Sequence, residues 1–233
     1  MIPLRDDNPS SITPAVSWAL IATCVLVFLW QFSLGPRDGQ IAVYALGVIP
    51  VVLLEGARLP PEVAMVPPLA TVFTSMFLHG GWMHLIGNML YLWIFGDNVE
   101  DSMGHGRFIA FYLLCGVAAV LAQALPDTHS QVPMIGASGA ISGVLGAYVL
   151  LYPHARVLVL IPLGFFTQLI RLPASIVLGL WFALQLFNSL VTPAGGGGVA
   201  FGAHIGGFVA GIALIPLFRR RGVRLLHPGR RYR

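Results

Sequence analysis

The sequence predicts an all-α fold: a polytopic membrane bundle of six transmembrane helices with a membrane-associated first loop. Three observations predict it. The 233 residues are 57% hydrophobic and only 9% charged, where a soluble domain carries about 25% charged residues. Six apolar segments without Asp, Glu, Lys or Arg cover 15–34, 73–95, 108–124, 133–152, 173–191 and 199–218. Each is near the roughly 20 residues that a helix needs to cross hydrocarbon. The arginines then collect on one side of the topology that these six segments define. No repeat or second domain is visible, so a single domain over 15–218 is expected, between a short segment 1–14 and an Arg-rich tail 219–233.

The elements follow in order. The first apolar segment succeeds Arg5 and is longer than the ~7–15 residues of a signal-peptide core. No small-x-small site follows it, so it reads as a retained helix. The 35–72 connection places Gly35, Pro36, Gly39, Pro50, Pro60, Pro61, Pro67 and Pro68 around an apolar stretch at 41–54. A long, apolar connection of this kind predicts an element half-inserted at the outer membrane surface. The apolar run 157–170 is too short to span, contains Pro162 and Gly164, and lies between Arg156 and Arg171. It reads as an interfacial or re-entrant piece. With six spans, 1–14, 96–107, 153–172 and the tail share one side. That side holds Arg5, Arg107, Arg156, Arg171, Arg219, Arg220, Arg221, Arg224, Arg230, Arg231 and Arg233, and the other only Arg37 and Arg58. The positive-inside rule predicts cytoplasmic termini and a multi-pass protein of the inner (plasma) membrane. The basic tail reads as a topology anchor touching anionic lipid rather than a nucleic-acid site. Cys24 and Cys115 lie in apolar runs and read as packing, with neither disulfide nor metal-ligand spacing.

Polar residues inside the spans are the functional candidates. The second, fourth and sixth spans all run inward, so their first thirds share one depth near the outer face. His79, His84 and Asn88, Ser138, and His204 fall in that layer. His84 and Asn88, at i and i+4, share a helix face. Gly136, Gly139, Gly143 and Gly146 form a stripe on the fourth span. Gly202, Gly206, Gly207 and Gly211 repeat small-xxx-small on the sixth. Glycines let helix backbones approach closely in lipid, close enough for a serine hydroxyl to meet an imidazole within roughly 2.6–3.2 Å. Ser142 reads as bonding its own i−4 carbonyl, and His79 as a packing or hydrogen-bonding residue. His105, His129, His154 and His227 read as solvated. No HExxH is present and no carboxylate lies in any span, so a serine–histidine pair is favoured over a metal centre, and no cofactor is expected.

The segments Gly136-Ala137-Ser138-Gly139, Ala203-His204-Ile205-Gly206-Gly207 and His84-Leu85-Ile86-Gly87-Asn88, in this order within six spans, resemble the rhomboid intramembrane serine proteases over roughly 71–218. The resemblance implies Ser138 as nucleophile, His204 as general base, and an oxyanion hole of His84, Asn88 and the Ser138 backbone N–H. It implies transmembrane protein substrates cleaved within the lipid bilayer. It also makes 35–72 the family's membrane-embedded outer loop, and 192–203, with its glycine run 195–198, a mobile cap. Two features depart from the family pattern. The first loop lacks a Trp-Arg pair before the second span. Ser142 stands where many members place an aromatic against the catalytic imidazole, which leaves Phe201 or Phe208 to hold it and implies a functional but slow enzyme. The rival readings are a non-cleaving rhomboid-like protein that binds membrane helices, and a small transporter. The first would normally have lost Ser138 or His204. The second would show repeats and midplane polar groups.

Overall fold

The computed structural model describes residues 1–163, 166–191 and 198–226. Residues 192–197 of the expected cap, His227 and the last three arginines lie outside them. The chain is mostly helical. After strand β1 (Ile2–Asp6) come α1 (Ala15–Ser33), α2 (Gly35–Leu46), α3 (Pro50–Leu54), α4 (Pro68–Thr74), α5 (Trp82–Met103), α6 (His105–Ala124) and α7 (Ser138–Leu151). Strands β2 (Arg156–Leu163) and β3 (Phe166–Pro173) precede α8 (Ala174–Val191) and α9 (Phe201–Phe218). By length and composition, α1, α6, α8 and α9 can each cross a membrane. The second expected span differs from prediction at both ends. Its helix begins at Trp82, after α4 and a 3₁₀ turn (Ser75–Phe77), and runs on to Met103 past Asp97, Glu100 and Asp101. The fourth starts at Ser138 and is 14 residues long.

The structure departs from an all-α fold at the 157–170 run. This segment forms a hairpin, β2 against β3, and β1 adds to β2 to complete an antiparallel sheet in the order β1-β2-β3. The alternation is that of a strand: Val157 and Val159 are fully buried, and Leu158 and Leu160 are less so. The outer connection is helical in α2 to α4. It is pinned by paired backbone bonds between Val48 and Met134 and by the Thr74 hydroxyl donating to the Leu46 carbonyl at 2.6 Å.

At the centre of the bundle, α7 is buried along its length from Gly139 to Tyr148. It lies against α9 with almost nothing between the backbones. A methyl on Gly207 would stand 2.0 Å from the Gly139 carbonyl oxygen, and one on Gly211 2.0 Å from that of Gly143. Gly206 faces away, toward Ala122 of α6, so the sixth-span glycines serve two neighbours. By contrast α8 is buried only near its start, at Ala174, Val177 and Leu178.

At the end of α5, Asp97, Glu100 and Asp101 stand on a helix where the six-span reading placed the 96–107 loop, and Glu100 is buried. Glu100 is fully buried at the start of α1. Its carboxylate accepts the Val16 and Ser17 N–H groups at 2.9 and 2.8 Å and the Ser17 hydroxyl at 2.7 Å. These are N–H groups with no partner in their own helix, next to its positive dipole end. His105, read as solvated, places Nδ1 2.6 Å from the same carboxylate. Asp101 accepts from Ser11 and pairs with Arg220 at 3.0 Å. Asp6 accepts the Tyr148 hydroxyl.

Burial, reinforced by Asp97 and Asp7 and opposed by the Tyr148 hydrogen bond, pushes the Asp6 carboxyl up from 3.8 to about 7. Between these values the folded chain holds a proton that the unfolded chain releases, so this group's contribution to stability falls as pH rises through that window. Asp6→Asn stays neutral throughout. The melting temperature of wild type relative to this variant, measured in detergent, is expected to fall from about pH 4 to about pH 7 and then level off.

Candidate active site

Ser138, His204 and His84 sit in the first turn of α7, α9 and α5, with Asn88 one turn further along α5. The expected convergence at one end of three parallel helices is therefore observed. The Ser138 Oγ and His204 Nε2 lie 2.7 Å apart. Because α7 begins at Ser138, with no side-chain cap, the N–H groups of its first turn point outward without helical acceptors. Gly136 leads into this turn at φ +123, a conformation that favours glycine. A methyl there would also stand 2.7 Å from His84 Cε1. Glycine thus brings the His84 ring against the backbone just before Ser138. The rest of the stripe, Gly139, Gly143 and Gly146, faces α6 and α9 instead.

His84 Nδ1 accepts the Gly80 N–H at 3.3 Å, which leaves Nε2 on the Gly136 side. Asn88 is buried, and its Nδ2 has no partner among the described residues. His79 packs edge-on against His84, with ring centroids 5.1 Å apart, and its N–H donates to Gln31 at 3.0 Å. This is the packing and hydrogen-bonding part expected of it. Ser142 donates to the Ser138 carbonyl at 2.6 Å, the expected i−4 bond. His84, Asn88, Ser138, Ser142 and His204 line a cavity of about 920 Å³ that Tyr91, Gln123 and Trp181 also reach.

The imidazole of His204 is held in part as expected. Phe201 meets it edge-on at 6.5 Å, but Phe208 stacks on Phe182 at 4.5 Å instead. Two residues of α8 that sequence reasoning missed complete the setting. Trp181 lies tilted over the ring with centroids 5.8 Å apart, and Gln185 Oε1 is 2.8 Å from His204 Nδ1. Their i, i+4 spacing, with an amide inside an apolar span, was the available signal.

Chemically, the arrangement pairs a hydroxyl with an imidazole beside unpaired N–H donors. That is what acyl transfer requires.

Known proteins give the same direction. The family model described as a Rhomboid domain matches residues 68–221. The chain is 36% identical over 156 residues to rhomboid protease GluP of Bacillus subtilis, covering 66% of this chain and 28% of that protein. It is 30% identical over 149 residues to Rhomboid protein 1, mitochondrial, of Saccharomyces cerevisiae, covering 61% and 40%. With rhomboid protease GlpG of Salmonella choleraesuis it shares 28% identity over 205 residues, covering 85% and 61%. The chain thus spans well under two thirds of the first two relatives. Since the domain match takes in more than half of the sequence, including Ser138, His204, His84 and Asn88, the chain belongs to the rhomboid family.

Proposed function

We propose that this protein is an intramembrane serine endopeptidase that cleaves membrane-protein substrates in or near their transmembrane segments. The observation that carries the reading is the 2.7 Å contact between Ser138 Oγ and His204 Nε2 at the mouth of a cavity. Ser138 attacks the scissile carbonyl while His204 takes its proton. The negative charge that develops on the carbonyl oxygen is met by the Ser138 N–H, Asn88 Nδ2 and His84 Nε2–H. The His84 proton sits on Nε2 because Nδ1 accepts from Gly80. Collapse of the tetrahedral species breaks the C–N bond, and His204 returns its proton to the leaving amine. Water then attacks the acyl-enzyme and gives a proton to His204; the C–Oγ bond breaks, His204 returns that proton to Ser138 Oγ, and the acid leaves. The cavity supplies a route for that water. A helical substrate hides its carbonyls, so the cut falls where the substrate can locally unwind.

In this reading α5 and α7 also cross the membrane, giving six spans with both termini in the cytoplasm of a plasma-membrane protein. At ~1.5 Å per residue α7 is shorter than the hydrocarbon core. Its polar Ser138 end opens into a cavity within the protein, where irregular backbone is tolerated. The first loop, α2 to α4, lies at the outer surface. The cleavage reading is favoured over non-cleaving helix binding because the hydroxyl and imidazole are both present and in contact.

A reporter with a single transmembrane segment, incubated in liposomes with wild type and with Ser138→Ala, tests the function. Cleavage by wild type alone is expected; equal cleavage by both would remove Ser138 from the chemistry. Asn88→Ala is expected to lower kcat by about 10²-fold with KM nearly unchanged, since its donor acts on charge formed only in the transition state. Steady-state kinetics on the same reporter measure this.

A further inference from the structure

We propose that Gln185 is a positioning residue that fixes the tautomer of His204. The inference rests on the Ser138–His204 reading. A neutral imidazole carries one proton. To accept the Ser138 proton at Nε2, His204 must hold its own at Nδ1. The Nδ1 atom lies 2.8 Å from Gln185 Oε1, and an amide oxygen accepts but cannot donate, so this contact holds the proton on Nδ1. The opposite tautomer would aim an N–H at the serine and could not receive its proton. The apolar segment 173–191 that carries Gln185 contains no carboxylate, and a neutral amide oxygen performs the orienting task without placing a charge in an apolar setting.

The geometry around the contact supports a dedicated role. Trp181, one turn before Gln185, covers the same imidazole, so one face of α8 meets His204 at two points. The stack of Phe182 on Phe208 seats α8 against α9. Elsewhere α8 turns largely outward, with Leu180, Leu184, Phe187 and Leu190 exposed. An amide on a largely exposed helix that nevertheless reaches the base ties base orientation to the seating of α8. Displacement of α8 away from α9 would release the tautomer.

Gln185→Leu keeps the side chain's bulk but removes the acceptor, and Gln185→Glu restores an acceptor oxygen. With Gln185→Leu, kcat is expected to fall by at least about 10-fold while KM stays within about twofold, and Gln185→Glu is expected to recover part of that loss. Nitrogen NMR of ¹⁵N-histidine-labelled protein, with the His204 signals assigned by comparison with His204→Ala, reads the tautomer directly. Wild type should show His204 protonated at Nδ1, and Gln185→Leu a mixture. An unchanged tautomer and unchanged kcat in Gln185→Leu would overturn the assignment. So would loss of activity in both variants with the tautomer unaltered, which marks a packing role. If wild type itself fails to cleave the reporter, the protease reading fails and this inference falls with it. If wild type cleaves and the Gln185 variants match it in both rate and tautomer, this inference alone fails.

Discussion

Replacing His204 by alanine is expected to lower kcat on the order of 10⁴-fold or more, with little change in substrate binding. The reason is local. In the absence of the imidazole, the Ser138 hydroxyl has no hydrogen-bonded base among the described residues: Ser142, one turn along α7, is occupied with the Ser138 carbonyl. His84 cannot substitute, because its Nδ1 is engaged by Gly80 and its ring lies against Gly136. The residual rate would come from substrate binding and the N–H donors at the start of α7, which survive the substitution. Combining His204→Ala with Ser138→Ala should therefore add little to either single loss, because the two groups act as one unit. Cleavage rates for the two single variants and the double variant measure this.

A methyl added at Gly211 should be nearly as damaging, by a different route. It would meet the Gly143 carbonyl oxygen at 2.0 Å and the Gly143 Cα at 2.7 Å. These are backbone atoms, with no flexible side-chain end to give way, so α7 and α9 must separate. Overpacking of this kind costs about 1–3 kcal/mol or more. The catalytic consequence is larger, because α7 carries Ser138 and α9 carries His204, and a shift of about 1 Å removes a 2.7 Å contact. Gly179→Ala on α8 is the matched control: a methyl there meets nothing within 4 Å. Gly211→Ala is expected to lower both the melting temperature in detergent and the reporter cleavage rate, and Gly179→Ala to leave both near wild type.

The parts of the fold and site that the sequence shows are those whose signal is local or carried by composition. The apolar segments declare a membrane bundle. The i, i+4 pair His84 and Asn88, the glycines around Ser138 and His204, and the i−4 bond of Ser142 all lie within a turn or two of the residues they serve. What the sequence hides depends on distant partners. The run 157–170 looks like an interfacial piece because nothing nearby shows that Ile2–Asp6 will pair with it. The partners of Glu100 and Asp101, Ser17 and Ser11, lie 83 and 90 residues away and leave no local signal. Gln185 is missed for the same reason: its partner is His204, across a separate helix. The aromatic absent at Ser142 is likewise supplied from α8, by Trp181, beside Phe201 of α9.

The central claim is that Ser138 is a nucleophile activated by His204. Peptide mass spectrometry after treatment of the membrane-embedded protein with a fluorophosphonate tests it most directly. A covalent adduct on Ser138 is expected in wild type and none, on the same time scale, in His204→Ala. An adduct confined to another serine, or equal labelling of Ser138 with and without His204, would contradict it.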